Sequence, residues 1–491
     1  MPILTEPPTG PYDVIVLGSG LAGTAAALAA WEGGSRVLVV EKAPLESAGG
    51  NTRFSGGGFR IPREGEFTPE DFFEDLMIVT NGRGNKDLLR HMTLRAKEDT
   101  DWLQSHGLLF GDQSKSTLRH REHVGPRRQI PTWAQPVPFD IDGFAQIGCG
   151  NGVVRQLHPK LLEKADFVHD TKAERLLVDD HRAITGVRIF HPEHGYRDIQ
   201  APSVVVATGG FQANQEMRSR YFGKQAAHWR VRGTRFNTGD GIRMGTEIGA
   251  ALVGDFADVH CAIIDARSRA SEGGSTNVNT YPFGIIVNSA GERFLDEGED
   301  YRDRTYAKFG HRILAQPGSI AYVVYDEKLA DHMACYVLDW GPVSAPTLEE
   351  LAAKLGVDPD GLTQTVTSFN AAVDESVPFN DKDKDGRAAL GIKPPKSNWA
   401  NQIDTPPYYA YTVTGGLTFT FAGLRTNLRS EVLSAEEHVI PGLYAAGEIQ
   451  GDFFYGNYPG GSSLVRCSVY GRAAGTNAAA WAVSRAAVAT G

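Results

Sequence analysis

The chain has 491 residues, 41% hydrophobic and 22% charged, the make-up of a globular protein too long for one ordinary core. A net charge of −10 argues against a nucleic-acid surface and offers no basic patch to a membrane. The four cysteines, Cys149, Cys261, Cys335 and Cys467, lack CxxC spacing, which argues against zinc, iron–sulfur or haem ligation and fits reduced thiols in the cytoplasm.

At the N-terminal end, "MPILTEPPTGPYD" carries no basic residue before the apolar run "VIVLGSGLAGTAAALAA". Gly18, Gly20 and Gly23 interrupt that run, so neither a signal segment nor a membrane span is expected. The pattern instead predicts strand, glycine turn, helix and strand. Gly18 permits the turn, Gly20 lets a pyrophosphate reach the backbone, and Gly23 lets the helix pack on the strand. The helix start at Leu21 and Ala22 then presents N–H groups to phosphates. Glu41, followed by Lys42, closes the second strand eighteen residues after Gly23, where a carboxylate can accept from ribose hydroxyls. FAD and NAD both fit this fingerprint.

Later stretches favour the longer cofactor. "AGGNTRFSGGGFR" (residues 48–60) follows the acid at once and brings Gly49, Gly50, Asn51, Thr52, Ser55, Gly56 and Gly57. "SVVVATGGF" (203–211) is a buried strand running into a turn at Ala207, Thr208 and Gly209. "DKDKDG" (381–386) imitates the start of a calcium loop, but its twelfth position is Ile392 instead of a glutamate, so a solvated loop is expected. "PGLYAAGEIQGD" (441–452) is another strand and turn, with Gly447 and Glu448. "GNYPGGSSLVRC" (456–467) places Tyr458 and Pro459 before Gly460, Gly461, Ser462, Ser463 and Leu464, and the alanine-rich stretch after it predicts a helix. No second GxGxxG follows a strand, which disfavours a disulfide reductase with its own NAD domain.

In the order GxGxxG…EK, GGNTxxSGG, ATGGF, GLYAAGE and PGG, nearly the whole chain resembles the fumarate reductase/succinate dehydrogenase flavoprotein group. "EDYRDRTYAKFGHRILAQP", "PPKSNWA" and "LTFTFAGL" are most similar to the tricarballylate dehydrogenases within it, which oxidise a tricarboxylate to cis-aconitate. The resemblance implies an α/β fold: a Rossmann-type FAD-binding domain (1–257 and 409–491) with an inserted α+β capping domain (258–408). It implies FAD near the residues named above, with Glu448 on the ribityl chain. Membrane-bound members attach FAD through a histidine in the early glycine loop; "GGNTRFSGG" has none, so noncovalent FAD is expected. With no CxxCH haem site, electrons are expected to pass to an external acceptor.

The departures from the group bear on the substrate. Phe419 and Thr420 stand where fumarate reductases have a substrate-binding histidine, and Tyr458 and Pro459 where they have an arginine. The YPG triplet is similar to that of 3-ketosteroid Δ1-dehydrogenases, in which the tyrosine donates to a ketone. Hydride transfer between a substrate carbon and flavin N5 needs a proton carrier on the opposite side, from the cap. Arg302, Arg304 and Tyr306 are the candidates; each has an alternative reading, as surface charge for the arginines and as packing for the tyrosine. Arg466 is either a carboxylate anchor or a helix-surface residue, while His260 and His311 are expected to be structural. The expected activity is dehydrogenation of a tricarballylate-like acid. The alternatives are a ketosteroid dehydrogenase or a fumarate/urocanate-type ene-reductase, with a small carboxylic acid or ketone as substrate.

Overall fold

Three short runs, VIVL, VLVV and SVVV, are buried throughout, as parallel strands covered on both faces must be. They belong to a computed structural model that describes residues 3–490 apart from 63, 66, 111–132, 135–149, 273–275, 334–340 and 382; Cys149 and Cys335 lie outside the described residues. In chain order the first sheet takes β1 (Ile3–Leu4), β2 (Val14–Leu17), β3 (Val37–Val40), β4 (Asp166–Val168) and β5 (Ser203–Val206). A second sheet takes β6 (Arg230–Val231), β7 (Val259–Asp265), β8 (Ile285–Val287), β9 (Ala321–Asp326), β10 (Val343–Ala345) and β11 (Tyr408–Thr420). The chain then returns to the first sheet with β12 (Glu431–Leu433) and β13 (Val439–Ala445).

The first sheet runs β1–β4–β3–β2–β5–β13–β12, parallel except for the edge strand β12. This is the expected α/β FAD-binding architecture. Helix α1 (Leu21–Glu32) covers one face and is buried from Leu21 to Ala30. Its alanines and glycines suit a backbone contact with the C-terminal helix: Cβ atoms on Gly471 and Gly475 would lie 2.6 and 2.0 Å from the Ala22 and Ala26 carbonyl oxygens. That terminal helix spans Ser462–Thr490, starting nine residues before the alanine-rich run, directly after the Gly460–Gly461 pair.

Strand β11 organises the second sheet. Its first half pairs with β9 and β10, and its second half with β7. The expected domain division at 408/409 thus falls at its first residue, and the strand continues to Thr420. Two further helices matter for the site, α2 (Gly50–Phe54) and α3 (Arg302–Leu314); the terminal helix Ser462–Thr490 is α4. Helix α3 lies on β7 and β11 with almost no space between backbones. A Cβ on Gly310 would be 2.3 Å from the Cys261 carbonyl oxygen, and one on Gly415 would be 2.6 Å from the Gly310 carbonyl oxygen.

Gly310→Ala should therefore push α3 away from the sheet, at the ~1–3 kcal/mol typical of overpacking. Scanning calorimetry should show a lower melting temperature; an unchanged one would mean that the helix has room to retreat.

Candidate active site

One cavity runs along the C-terminal ends of β2, β3 and β5, where open α/β sheets bind ligands, and continues under the second sheet. At the sheet end it is lined by Gly18, Gly20, Leu21, Ala22, Glu41, Lys42, Thr52, Ala207, Thr208 and Gly209. A Cβ on Gly18 (φ +100°) would lie 2.6 Å from the Ala207 carbonyl oxygen, so only glycine fits the turn. The Leu21 N–H at the start of α1 donates to Thr52 Oγ1 at 2.9 Å, which ties the early glycine loop to the helix terminus. Glu41 accepts from the Ser19 N–H (2.9 Å) and hydroxyl (2.5 Å) and from the Ala43 N–H (2.8 Å). Being acceptor-only when ionised, its carboxylate retains lone pairs toward the cavity. Lys42 donates to the Phe236 carbonyl, Thr238 Oγ1 and Asp240 Oδ2, so it fixes the 236–240 segment as one wall.

Midway along the cavity lies a buried polar cluster around Glu448. Oε1 accepts from the Thr420 N–H at 3.0 Å, and Oε2 from Asn51 Nδ2 at 3.2 Å and Asn237 Nδ2 at 3.1 Å. Asn51 also donates to the Thr418 carbonyl at 2.7 Å. Burial raises the Glu448 carboxyl to about 7 despite these donors and Arg466.

At the far end two cations face an aromatic wall. Arg302 and Tyr306 are four residues apart on α3 and share one face, with the guanidinium carbon 4.3 Å above the tyrosine ring. Arg302 donates to Asn279 Oδ1 at 2.5 Å. His260 on β7 pairs across the strands with Phe419 on β11. Its ring centroid lies 4.9 Å from Tyr306, 4.9 Å from Phe419 and 5.1 Å from Tyr458. Burial, with Arg232 and Arg302 nearby, pushes the His260 imidazole well below its ordinary value and keeps it neutral. The Tyr458 hydroxyl accepts from the Ser463 N–H at the start of α4 at 3.3 Å. The second cation, Arg232, follows β6; its Nη2 donates to the Phe54 carbonyl at 3.1 Å.

Most of the expected cofactor residues line this cavity, including Gly50, Asn51, Ser55, Gly56, Gly57, Glu448, Gly461, Ser463 and Leu464. Gly23, read from its spacing as the packing glycine, and four further residues of the set are not among the lining. A Cβ on Gly23 would lie 2.0 Å from the Gly18 carbonyl oxygen, one on Gly49 2.8 Å from the Val154 side chain, and one on Gly447 2.7 Å from Ala22. The Gly460 carbonyl accepts from Arg60 Nε at 3.1 Å, and the Ser462 hydroxyl donates to the Pro459 carbonyl at 2.6 Å. Of the proton-carrier candidates, Arg302 and Tyr306 line the cavity and Arg304 does not. Two residues past Arg302, Arg304 is about 200° round the helix. It pairs with Asp75 at 3.1 Å and Asp300 at 3.5 Å, and Asp75 also holds Arg60 at 2.9 Å. Arg466 is neither a surface residue nor a cavity anchor: it is fully buried, with Phe419, Phe453 and Phe454 within 5.8 Å. His311 sits apart, bound to Asp258 at 2.7 Å; burial would lower it, but Asp258 outweighs that and holds it above its ordinary value. In the 381–386 loop, Asp385 Oδ1 accepts from the Arg387 and Trp399 N–H groups, each at 2.9 Å, which makes it a loop staple. Sequence reasoning did not single out Arg232, Asn237 or Asn279.

The residues fit a dinucleotide with a long polar chain. The cavity passes the glycine turn and the start of α1, and the buried Thr208 hydroxyl on its wall has no partner among the described residues. A doubly wound domain with such a cavity, closed by a second sheet and by the helix α3 that carries Arg302 and Tyr306, defines a capped dinucleotide-dependent oxidoreductase. A family model described as an FAD binding domain matches residues 13–465. The chain is 29% identical over 490 residues to fumarate reductase (cytochrome) of Shewanella frigidimarina, covering 97% of this chain and 78% of that protein. It is 30% identical over 488 residues to NADH:fumarate oxidoreductase of Klebsiella pneumoniae (strain 342), covering 95% of this chain and 48% of that protein, so it spans about half of that relative. The solved structure of 3-ketosteroid delta1-dehydrogenase from Sterolibacterium denitrificans in complex with 1,4-androstadiene-3,17-dione superposes with a TM-score of 0.78. That match covers 96% of this chain and 100% of the other at 24% identity, a likeness of fold. The chain belongs to the FAD-binding flavoprotein family of the fumarate reductases, oxidoreductases that act on CH–CH bonds.

Glu448 gives this site a pH signature. Its folded-state value of about 7 exceeds the ordinary 4.5, so the folded protein keeps a proton that the unfolded chain releases. Its contribution is complete below about pH 4.5 and is lost as pH rises toward about 7. Glu448→Gln should gain stability relative to wild type across that window, by about 3 kcal/mol at most. Chemical denaturation at several pH values measures the difference; a flat one contradicts the burial argument.

Proposed function

We propose that this chain is an FAD-dependent dehydrogenase that forms a C=C bond in a carboxylic acid of the tricarballylate type. The observation that carries the reading is the convergence of Arg302, Tyr306 and Tyr458 on one cavity wall, beyond the residues that would hold FAD. The FAD-binding unit is residues 1–257 and 409–491, and residues 258–408 form the cap. Gly18–Ala22, Glu41, Asn51, Thr52, Thr208 and Glu448 would hold FAD, which supplies a two-electron hydride acceptor when bound.

The rest is done by side chains of this chain. Arg302 or Tyr306 carries the proton of the reacting carbon, and the guanidinium above the ring stabilises negative charge developing on the phenol oxygen. The Ser463 N–H polarises the Tyr458 hydroxyl, which strengthens a hydrogen bond that it donates to a substrate oxygen. His260, Phe419 and Phe454 exclude water around that phenol. Electrons leave to an external acceptor, and the protein works in the cytoplasm; among the described residues no helix is long and apolar enough to cross a membrane. The same aromatic wall favours a second reading, in which Tyr458 holds a ketone, as in ketosteroid dehydrogenation. An ene-reductase of the fumarate or urocanate type would use the same groups in reverse.

Bleaching of the flavin by tricarboxylates, dicarboxylates or 3-ketosteroids, added one at a time without oxygen, separates these readings; bleaching by the steroid alone would overturn the first. Arg302→Ala and Tyr306→Phe should single out one residue, with turnover down about 10²- to 10⁴-fold and flavin content unchanged. Arg304→Ala should lower the melting temperature more than it slows turnover. If all three variants turn over normally, the proton carrier lies elsewhere. FAD is held noncovalently, so acid precipitation should release all the yellow colour; fluorescence left on the denatured band would overturn that.

A further inference from the structure

One of the cavity's charges has no role assigned so far, the guanidinium of Arg232. Arg232 is 7% exposed and lines the cavity with Arg302, Tyr306, His260 and Tyr458. Its position is fixed from the backbone outward. Its N–H donates to the Leu417 carbonyl at 2.7 Å, and its Cβ passes so close to β11 that a side chain on Gly416 would meet it at 2.9 Å. Nη2 holds the Phe54 carbonyl, while the buried Nε has no partner among the described residues. Among the described residues, the charged or ionisable groups that act on this guanidinium are Tyr306, Arg302 and Tyr458, none of them a carboxylate. The other cations of the region are engaged elsewhere: Arg304 on Asp75, Arg466 among phenylalanines, Lys42 on Asp240. His260 is neutral and cannot supply the charge.

We propose that Arg232 is a substrate-binding residue that takes a carboxylate inside the cavity, and that Arg232 and Arg302 together select a substrate bearing at least one carboxylate next to its reacting carbons. This rests on the reading of the site as a CH–CH oxidoreductase for a carboxylic acid. Burial and the charge of Arg302 both disfavour the buried guanidinium, and a carboxylate beside Arg232 offsets them. The guanidinium fork matches a carboxylate in a way the phenol of Tyr458 cannot. Arg232 thus supplies, from the end of β6, the anchor lost where Tyr458 stands in place of an arginine. A neutral steroid would leave Arg232 buried without a counter-ion.

The test is a binding titration of the FAD-loaded protein, read as a difference spectrum of the flavin. The probes are tricarballylate, succinate and malonate, with trimethyl tricarballylate as the uncharged control. In Arg232→Gln the dissociation constants of the carboxylates that bind wild type should rise about tenfold to a hundredfold, the loss expected for a hydrogen bond to a charged group. Arg232→Lys, which keeps the charge and loses the fork, should recover part of that. The triester should be insensitive to both changes. Without ligand, Arg232→Gln should melt no earlier than wild type, because it removes an uncompensated buried charge. Equal carboxylate affinities in wild type and both variants overturn the proposal, as does wild type that binds no carboxylate probe. Carboxylates that bind through Arg232 but never reduce the flavin would overturn the dehydrogenase reading and leave this one standing. Carboxylates that reduce the flavin equally well in both variants would do the reverse.

Discussion

The register of a single strand fixes the relation between cap and cofactor groove. β11 spends its first six residues, Tyr408 to Val413, paired with β9, and its later residues paired with β7. At its end three successive residues do different work. The Thr418 carbonyl receives Asn51 and Gln212, Phe419 joins the aromatic wall, and the Thr420 N–H reaches Glu448. Side chains alternate between faces of a strand, so a slip of one residue would turn Phe419 out of the wall and place a threonine beside His260. The buried glycines Gly415 and Gly416 support this register from below, since neither position has room for a larger residue.

Charge burial follows the same frame. Glu448, Arg466, Arg232 and His260 are all taken out of water, and each is treated differently. Glu448 is surrounded by donors and still holds its proton to about pH 7. Arg466 lies among three phenylalanines, and its burial lowers it from its ordinary value. His260 is held neutral chiefly by burial, with Arg232 and Arg302 adding to it. An interior arranged this way suits the handling of a polar cofactor and an anionic substrate better than it suits stability alone, because unpaired buried charges destabilise a fold.

The cofactor domain could be read from the sequence because its requirements are local. The turn at Gly18, the helix start at Leu21 and the acid at Glu41 lie within one strand–helix–strand unit, and the structure has them where the spacing placed them. Glycine richness identified the cavity but not the purpose of each glycine. The spacing marked Gly23 for packing, whereas the packing of Gly49 and Gly447 depends on partners remote in sequence, Val154 and Ala22. In the cap, the choice among Arg302, Arg304 and Tyr306 turns on helix phase. Once the helix start at Arg302 is known, the i, i+4 pair faces the cavity and the residue between them cannot. Arg232 left no local signal: one of three arginines in "RVRGTRF", it becomes notable only when β6 is laid beside Leu417.

Arg304 has a consequence beyond its exclusion from the cavity. Its carboxylate partner Asp75 also grips Arg60, whose backbone and side chain hold the carbonyls of Gly461 and Gly460. Asn457 of the same loop donates to the Arg304 carbonyl at 2.7 Å. The cap helix, the N-terminal region and the loop bearing Tyr458 are thereby joined at one latch. Arg302 and Arg304 are on the same helix two residues apart, so neither can be displaced far without the other. Any tilt of α3 wide enough to withdraw Arg302 from the cavity also draws Arg304 off Asp75 and wets a part-buried ion bridge. A displacement of that helix would thus open to solvent and its ions the same bridge that holds the loop bearing Tyr458.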